Sequence, residues 1–578
     1  MLTTIKTRDK LEWDKIIKKL SSHASTSLGK GLCQELLPSN DADFIKSSQA
    51  ETSEAVGLLC RGANVPLSGI SDIRHFISHC KRGGMLSIDA FYRIRLCLEG
   101  GRRVRTFLLT EGTTSFFLEM GADMTLFPAL LSELQRCVLG PEELSDKASP
   151  DLLRLRREIM SLENKIREHM DAMIRSSTVQ KYLQEPLITM RGDRYVLPVK
   201  QEFRQHVPGV VHDQSSSGAT VFIEPLTTFE LGNRLRETQS QEEKEVERIL
   251  TNLSSQVANN ADGIENLLNQ LAHLDFILAK GKFALDLKAS APRLNENGHL
   301  KLYQARHPLL GKGVVPVTVW LGRSFKTLVV TGPNTGGKTV LLKTVGLLVL
   351  MHQAGLHIPA QEDSELPVYQ QVFCDIGDEQ SIEQNLSTFS AHMTNIVAIL
   401  QECTPHSLVL LDELGAGTDP SEGAALGMAV LQYLGQIGAA TIATTHYSEL
   451  KVFAYSQPGV ENASVDFNPV TLQPTYRLII GLPGRSNAFE IAARLGLPEE
   501  IVEKARSFLS HTDVRTDDLV RSLEEKRQRL EQLTKEAEAA KREADKFRHE
   551  WKKRKEALIS KEVDMVSVTI FICMVLSI

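Results

Sequence analysis

The sequence predicts a multidomain protein: mainly helical regions with a small β-containing insert, followed by an α/β domain and a long C-terminal helix. Three observations predict this class. The chain has 578 residues, enough for several domains. Long charged stretches with helical periodicity flank a segment in which apolar and polar residues alternate. Further along, an apolar strand runs directly into a glycine loop that ends in Lys-Thr, which is typical of α/β domains that bind phosphates.

Composition and charge limit the compartment and the kind of partner. The net charge is only −6, so any nucleic-acid binding must depend on local basic patches. Eight cysteines without paired spacing indicate a reducing cytosol and argue against a zinc site. The N-terminus lacks the apolar stretch of a secretory signal. We therefore expect a cytoplasmic protein.

The first half of the chain is predicted to be helical, with one insert. Residues 1–145 show helical periodicity broken by Gly and Pro and are predicted to form an N-terminal domain. Residues 146–300 are predicted to form a helical arm from two charged stretches, 150–180 and 226–290. Between these stretches, at about 185–225, alternating apolar and polar residues predict a strand, a turn and a strand.

The insert carries cations with an aromatic residue among them, namely Arg191, Arg194, Tyr195, Lys200 and Arg204. Contacts with a sugar–phosphate backbone need cations and tolerate any base sequence, so these side chains are candidates for nucleic-acid binding. A solvated face of a small sheet explains the same pattern equally well, because four cations form a modest patch. Both interpretations remain open from the residues alone.

Residues 301–510 are predicted to form the α/β domain, and its glycine loop predicts a phosphate site. A polyphosphate is best held by backbone N–H groups that converge at the start of a helix. The Lys338 ammonium would lie on the outer phosphates, and the Thr339 hydroxyl would ligate Mg²⁺. The predicted loop comprises Gly332, Pro333, Asn334, Thr335, Gly336, Gly337, Lys338 and Thr339.

Two further strand ends are predicted to add chemistry to this loop. An apolar run at 407–411 ends in Asp412 and Glu413, and ligands bind at the carboxyl ends of parallel strands. Asp412 would hold Mg²⁺, and Glu413 would polarise the water that attacks the γ-phosphate. A third run, from 439, ends at His446, which would sense or orient that phosphate. A lone histidine after a strand is usually structural, so its signal is the weakest of the three.

Four motifs carry a family resemblance: DIGDEQS at 375–381, STFSAHM at 387–393, DELGAGTDPSEG at 412–423 and TTH at 444–446. With the glycine loop, they resemble the ATPase of the MutS family. The Gly-Ala-Gly-Thr-Asp-Pro after Glu413 resembles the type II branch, which is associated with recombination suppression and ribosome splitting. The mismatch-repair branch typically has an Arg between the two glycines. The resemblance covers the chain to about residue 560.

The resemblance implies an ABC-type ATPase that works as a homodimer, with two ATP molecules and Mg²⁺ held at the interface. It implies that Ser387 reaches the partner's γ-phosphate and that His307 lies near the adenine. The implied catalytic set is Glu413, Lys338, Asp412, His446 and Ser387. The implied targets are branched or recombining DNA, stalled ribosomes and their rRNA, or both.

The C-terminal part carries three further expectations. Residues 481–501 are predicted to form a helix, a turn and a helix, and their apolar faces favour dimerisation over DNA reading. In 511–562 apolar residues recur at alternating intervals of three and four, which predicts a coiled coil or an exposed helical linker. The tail, 563–578, ends in an apolar run too short to cross a membrane, so we expect no membrane partner.

The type II branch usually carries a C-terminal Smr domain credited with nuclease activity, and its Leu-Asp-x-Arg and His-Gly-x-Gly motifs do not occur after residue 560. Nuclease activity is therefore not expected of this chain. Three hypotheses remain from the sequence: an ATPase clamp on DNA, the same motor acting on ribosomes, and a dimerising fragment that lacks both its effector and catalysis.

Overall fold

The computed structural model describes most of the chain. The described residues are 2–111, 114–311, 313–332, 337–377, 388–468, 473–482, 492–493, 496–507 and scattered positions between 529 and 548. The predicted coiled coil (511–562), the apolar tail (563–578) and most of the predicted helix-turn-helix lie outside them. The chain is therefore described here mainly up to residue 507.

The described chain forms two compact units. The helical unit comprises Ile17–Leu37 and Ala50–Asp286. The sheet unit comprises Met1–Ile16, Pro38–Gln49 and the chain from Leu287 onward. The helical unit runs across the predicted boundary at residue 145, and two short N-terminal segments belong to the sheet unit.

The helices and strands have the following bounds. The helices are α1 (Ile5–Lys10), α2 (Trp13–Ser22), α3 (Ser27–Glu35), α4 (Ala42–Cys60), α5 (Arg74–Lys81), α6 (Ile88–Glu111), α7 (Ser115–Asp123), α8 (Pro128–Cys137), α9 (Pro150–Arg175), α10 (Ser177–Gln180), α11 (Leu226–Asn259), α12 (Ala261–Leu287), α13 (Lys338–Gln353), α14 (Thr388–Glu402), α15 (Pro420–Ile437), α16 (Ser448–Ser456) and α17 (Glu499–Ser507). The strands are β1 (Thr189–Arg191), β2 (Arg194–Lys200), β3 (Gly209–Gln214), β4 (Thr220–Pro225), β5 (Arg293–Asn295), β6 (Leu300–Ala305), β7 (Val317–Leu321), β8 (Thr327–Thr331), β9 (Glu365–Pro367), β10 (Gln371–Asp375), β11 (Ser407–Leu411), β12 (Ala440–Thr445), β13 (Val460–Asn468) and β14 (Gln473–Ile480).

The helical unit has one large apolar core. It is built mainly by apolar residues of α5, α6, α8, α11 and α12. The long helix α9 begins at a sequence-encoded cap, since the Ser149 hydroxyl accepts a hydrogen bond from the Leu152 N–H and Pro150 occupies the first turn. Representative core residues are Phe91, Ile94, Leu134, Leu253 and Leu271.

The insert at 189–225 forms a separate four-stranded antiparallel sheet in the order β1-β2-β4-β3. In β4 Val221 and the last three residues are buried, and Val221 and Ile223 pack against apolar residues of α9, such as Ile166 and Met170. The outer strand β3 is exposed along most of its length. The sheet therefore has a small core of its own, shared with α9.

The sheet unit is built around a six-stranded sheet in the order β10-β11-β12-β8-β13-β14. The first five strands are parallel, and β14 is antiparallel to β13. Every residue of β8, β11 and β12 is buried, as expected for strands covered on both faces. A second, four-stranded sheet has the order β5-β9-β6-β7.

The two N-terminal segments of the sheet unit pack on its edge strand and on α13. The Val372 N–H in β10 donates to the Leu2 carbonyl over 2.9 Å. Leu11 is fully buried and lies against Gly346 of α13. At the C-terminal end of that helix, the Gln353 side chain donates to the Ser39 carbonyl over 2.8 Å. Residues 1–16 and 38–49 thus help to hold α13 in place.

Candidate active site

The strands β8, β11 and β12 bring three predicted site segments to one edge of the sheet. They are neighbours and run parallel, with Thr331 paired to Thr445 and Leu411 paired to Ala443. The residues that follow them therefore meet at the carboxyl end of the sheet, where ligands of α/β proteins bind. This convergence was predicted from the apolar runs alone, which do not reveal the order of the strands in the sheet.

The Lys338 ammonium lies between two of these strand ends. Lys338 begins α13, directly after Gly337, whose φ of 88° is left-handed and suits glycine. Its Nζ donates to the Gly332 carbonyl over 2.8 Å and to the Thr445 carbonyl over 3.5 Å. Burial lowers the pKa of Lys338, and the nearby carboxylates of Glu413 and Asp412 partly offset that shift. The helix N-terminus and this cation make the edge attractive to anions.

Asp412 is held by two threonine hydroxyls from different elements. The Thr339 Oγ1 donates to Asp412 Oδ2 over 2.6 Å, and the Thr444 Oγ1 donates to Asp412 Oδ1 over 2.5 Å. Thr339 lies in the first turn of α13, and Thr444 lies in β12. The contact between Thr339 and Asp412 places two oxygen ligands side by side, which suits a hard cation such as Mg²⁺.

Glu413 follows in a strained backbone conformation. Its φ of 48° is left-handed, which is uncommon for a residue other than glycine. Its N–H donates to the Thr444 Oγ1 over 2.8 Å, so one hydroxyl touches both acidic residues. Thr444 belongs to the TTH motif but was not predicted as a site residue. The sequence feature that could have identified it is this Thr-Thr-His at the end of the apolar run from 439.

His446 lies beside this group but is exposed. Its pKa lies below the ordinary value because its ring is partly desolvated and because the Lys338 ammonium is near, while Glu413 opposes the shift. The centroid of the His446 ring lies 4.3 Å from that of the Tyr447 ring, and the two planes are tilted by 42°. The Tyr447 hydroxyl in turn donates to the Gly415 carbonyl over 3.1 Å, which ties the end of β12 to the loop after Glu413.

An apolar cavity of about 430 Å³ opens beside the start of α13. His307, which the resemblance placed near the adenine, lines this cavity and is buried. Tyr476 of β14 also lines it, and its ring lies so close to Gly337 that a Cβ there would be 2.8 Å away. Tyr476 was not among the residues predicted from the sequence. It reaches this position because β14 pairs with β13, which in turn pairs with β8. Further lining residues are Leu310, Val314, Val340, Leu341, Val465 and Leu478.

Comparison with known proteins agrees with these features. The family model described as MutS domain V matches residues 328–513. A protein named Endonuclease MutS2 from Alkaliphilus metalliredigens is 47% identical, covering 95% of this chain and 70% of the relative. The chain belongs to the MutS2 branch of the MutS family. The type II resemblance drawn from the motifs is thereby confirmed.

Other MutS2 relatives give the same result. The Endonuclease MutS2 of Alkaliphilus oremlandii is 48% identical over 90% of this chain and 66% of the relative, and that of Geobacillus thermodenitrificans is 46% identical over 96% and 72%. The chain thus spans about two thirds of the length of these relatives. The word endonuclease belongs to the names of these relatives and says nothing about the activity of this chain.

The cations predicted to contact nucleic acid occupy different environments in this MutS2 chain. Arg204 is exposed, and Lys200 is half-buried. Arg191 is exposed, although it pairs with Asp213 at 3.2 Å and lies over the Phe222 ring. Tyr195 packs partly into the small core that the insert shares with α9. Three of the four cations are therefore within reach of solvent.

Arg194 does not fit the role predicted for it. Its side chain is buried, and its guanidinium donates to Glu224 over 3.1 Å and to the Asn233 side chain over 2.6 Å. Glu224 Oε2 also lies 2.7 Å from His212 Nε2. Arg194 therefore joins β2, β4 and α11 as a structural cation. Alternation within the insert could not distinguish this from a surface position.

Some predicted site residues of the MutS2 motifs lie outside the described part of the chain. They are Pro333, Asn334, Thr335 and Gly336 of the glycine loop and Ser387 of the STFSAHM motif. Among the described residues, no helix is both long enough and apolar enough to span a membrane.

Proposed function

We propose that this chain is an ATP-hydrolysing, dimeric clamp of the MutS2 type that acts on nucleic acid. One observation carries the proposal: Lys338, Thr339, Asp412, Glu413 and Thr444 converge at the carboxyl edge of a parallel sheet, next to an apolar cavity. Phosphoryl transfer depends mainly on positioning and on charge stabilisation, and this group supplies both.

Each member of the group has a distinct role in the proposal. Lys338 and the start of α13 bind the β- and γ-phosphates. Thr339 and Asp412 hold Mg²⁺, which when bound neutralises charge on the phosphates. Glu413 orients and polarises the attacking water, and His446 orients the γ-phosphate from the neighbouring strand end. Thr444 fixes the carboxylate of Asp412 and the backbone of Glu413.

The apolar cavity is the proposed site of the nucleotide base. Its volume of about 430 Å³ suits a small ligand, and its position beside Gly337 is one loop away from the phosphates. Aromatic rings bind a flat base by stacking, and Tyr476 and His307 are the rings that line it. We therefore assign base stacking to Tyr476, with His307 in the wall.

We propose that each site is completed by a second copy of the chain. In this arrangement Ser387 of one protomer reaches the γ-phosphate bound by its partner, so hydrolysis depends on dimer closure. Closure would then move the insert at 185–225, which offers the exposed cations Arg191 and Arg204 to a phosphate backbone. Branched DNA and the rRNA of stalled ribosomes present such a backbone alike.

The proposed catalysis is tested with purified protein and two variants. Glu413→Gln keeps nucleotide affinity but turns over roughly 100-fold more slowly, because it loses the group that polarises water. Lys338→Ala binds ATP at least about ten-fold more weakly, equivalent to about 1.4 kcal/mol. Lys326→Ala is the matched control, since Lys326 is exposed at the opposite end of β8. Normal turnover by both active-site variants contradicts the proposal.

The target is tested by measuring the ATPase rate of the wild-type protein with branched DNA, with linear duplex of the same length, and with ribosomes. Stimulation by branched DNA identifies the DNA clamp, and stimulation by ribosomes identifies the ribosome motor. Protein without steady ATP turnover under any of these conditions corresponds to the dimerising fragment, and it would refute the ATPase.

A further inference from the structure

Asp375 is bound on both of its side-chain oxygens by one helix. His392 Nδ1 lies 2.7 Å from Asp375 Oδ2, and the Asn395 side chain donates to Asp375 Oδ1 over 2.9 Å. His392 and Asn395 are three positions apart on α14 and therefore share a face. Asp375 is the last residue of β10 and is buried. We name these three residues the α14 latch.

The latch holds α14 and does not hold the side chain of Asp412, the carboxylate proposed to bind Mg²⁺. Asp412 is joined to Asp375 through the backbone alone, because its N–H donates to the Asp375 carbonyl over 2.8 Å. The side chain of Asp412 is fixed separately by Thr339 and Thr444. Removing a latch side chain therefore leaves the contacts of Asp412 intact and weakens the attachment of α14 to the end of β10.

The part of α14 that the latch fixes is its N-terminal half. Phe389, in its first turn, lies against Gly417 in the loop after Glu413, so closely that a Cβ on Gly417 would be 3.2 Å from the Phe389 nitrogen. His392 is in the next turn. The start of α14 at Thr388 is therefore located by the latch on one side and by the Gly417 loop on the other.

We propose that the α14 latch is a positioning device for the ATP site of the partner protomer. This inference rests on the proposed function, in which Ser387, the residue immediately before α14, serves the partner's γ-phosphate. The hydrogen bonds that join His392 and Asn395 to Asp375 set where that helix starts. In this inference the latch residues act through α14 as positioning residues.

Kinetics separate positioning from binding. His392→Ala and, independently, Asn395→Ala are expected to lower kcat roughly ten-fold, as the loss of one hydrogen bond to a charged group allows. The dissociation constant for ATP should stay within about three-fold of wild type, because the contacts of Lys338 and Thr339 are unchanged. Thr394→Ala is the matched control, since its hydroxyl bonds only the Ser390 carbonyl within α14.

Mixed dimers test which protomer's site the latch serves. His392→Ala and Glu413→Gln subunits are co-expressed with different tags, and the heterodimer is isolated by two affinity steps. In it, the one site with an intact Glu413 lies on the His392→Ala subunit but faces an intact latch from the other subunit. Single-turnover hydrolysis is compared with that of a heterodimer of wild-type and Glu413→Gln subunits.

The latch predicts equal first-turnover rates in the two heterodimers, with about half of the sites active in each. A rate lowered by the same factor as in the His392→Ala homodimer shows that the latch serves its own site and overturns the inference. Unchanged kcat in both single variants overturns it as well. In either case wild-type turnover remains, whereas a wild-type protein without ATPase activity refutes the proposed function itself.

Discussion

Thr444 is the residue on which the geometry of the acidic pair depends. It donates a hydrogen bond to Asp412 and accepts one from the backbone of Glu413. A buried hydroxyl can do both at once, whereas an apolar side chain of the same shape can do neither. The strained φ of Glu413 is thus compensated by a bond from the neighbouring strand.

We therefore expect Thr444→Val to reduce kcat about 10- to 100-fold, since hydrogen bonds to charged groups contribute about 1.5–3 kcal/mol. The affinity for ATP should change little, because Lys338 and the base cavity are untouched. Thr444→Ser keeps the hydroxyl and should retain most of the activity. Steady-state kinetics with a separate binding measurement check this, and equal kcat values for the two variants would contradict it.

His352 is predicted to make the stability of the sheet unit depend on pH. It is fully buried, which lowers its pKa to about 4 from an ordinary 6.5. Between these values the unfolded chain binds a proton that the folded chain does not, so stability falls as the pH drops through this window. The full effect approaches about 3 kcal/mol, from a shift of about 2.5 pKa units.

His352→Leu removes this proton-linked loss. Its thermal midpoint should fall less than that of wild type between pH 6.5 and pH 4.5. Gln49 keeps its side-chain hydrogen bonds to the backbone carbonyls of residues 352 and 356 in this variant. Parallel pH profiles for the variant and the wild-type protein would show that His352 is not responsible.

At the scale of elements, α13 connects the phosphate end of the sheet to the first residues of the chain. Its N-terminus carries Lys338, its middle packs on Leu11, and the side chain of its Lys343 pairs with Glu12 at 2.7 Å. Gly346 is required for this packing because Leu11 and Leu410 fill the space that a side chain would need. The helix is therefore positioned by sequence-distant neighbours.

Gly346→Ala is expected to destabilise the sheet unit by about 1–3 kcal/mol, because the added methyl would lie 2.7 Å from Leu11 Cδ2 and 2.9 Å from Leu410 Cδ1. Gly435→Ala is the matched control on α15. Nothing lies within 4 Å of a Cβ there, so the better helix propensity of alanine should stabilise by about 0.5–1 kcal/mol. Thermal unfolding of both variants measures the difference.

The energetic coupling between Leu11 and Gly346 is tested by adding Leu11→Ala to the Gly346→Ala variant. The double variant Leu11→Ala/Gly346→Ala should be more stable than the sum of the single changes predicts, because the methyl enters space that Leu11 has left. Strict additivity would show that Leu11 does not restrict Gly346.

At the scale of the whole molecule, the net charge of only −6 would confine the proposed nucleic-acid binding to local basic patches. Arg204 is an exposed cation of the insert. Arg204→Ala should weaken binding by a similar factor on every DNA sequence, because a phosphate contact carries no base information. The slope of log affinity against log salt should become shallower by about 0.9 for duplex DNA.

Arg323→Ala serves as the control for this titration, since Arg323 is an exposed cation of the sheet unit, far along the chain from the insert. Fluorescence anisotropy at several salt concentrations supplies the slopes. Equal slopes for Arg204→Ala and the wild-type protein would exclude Arg204 from the contact with nucleic acid.

Local patterns in the sequence determined the family, the buried parallel strands and which polar residues stand at the ends of these strands, because apolar runs, Gly-Lys-Thr and the acidic pair are each contained within a few residues. Tertiary structure decided the rest. The pairing of distant strands brought Tyr476 to the apolar cavity and Thr444 to the Asp412 carboxylate and the Glu413 backbone, and burial made Arg194 a structural cation. Packing on α13 drew the first sixteen residues into the sheet unit. These outcomes depend on contacts between residues far apart in the chain, which periodicity and spacing do not encode.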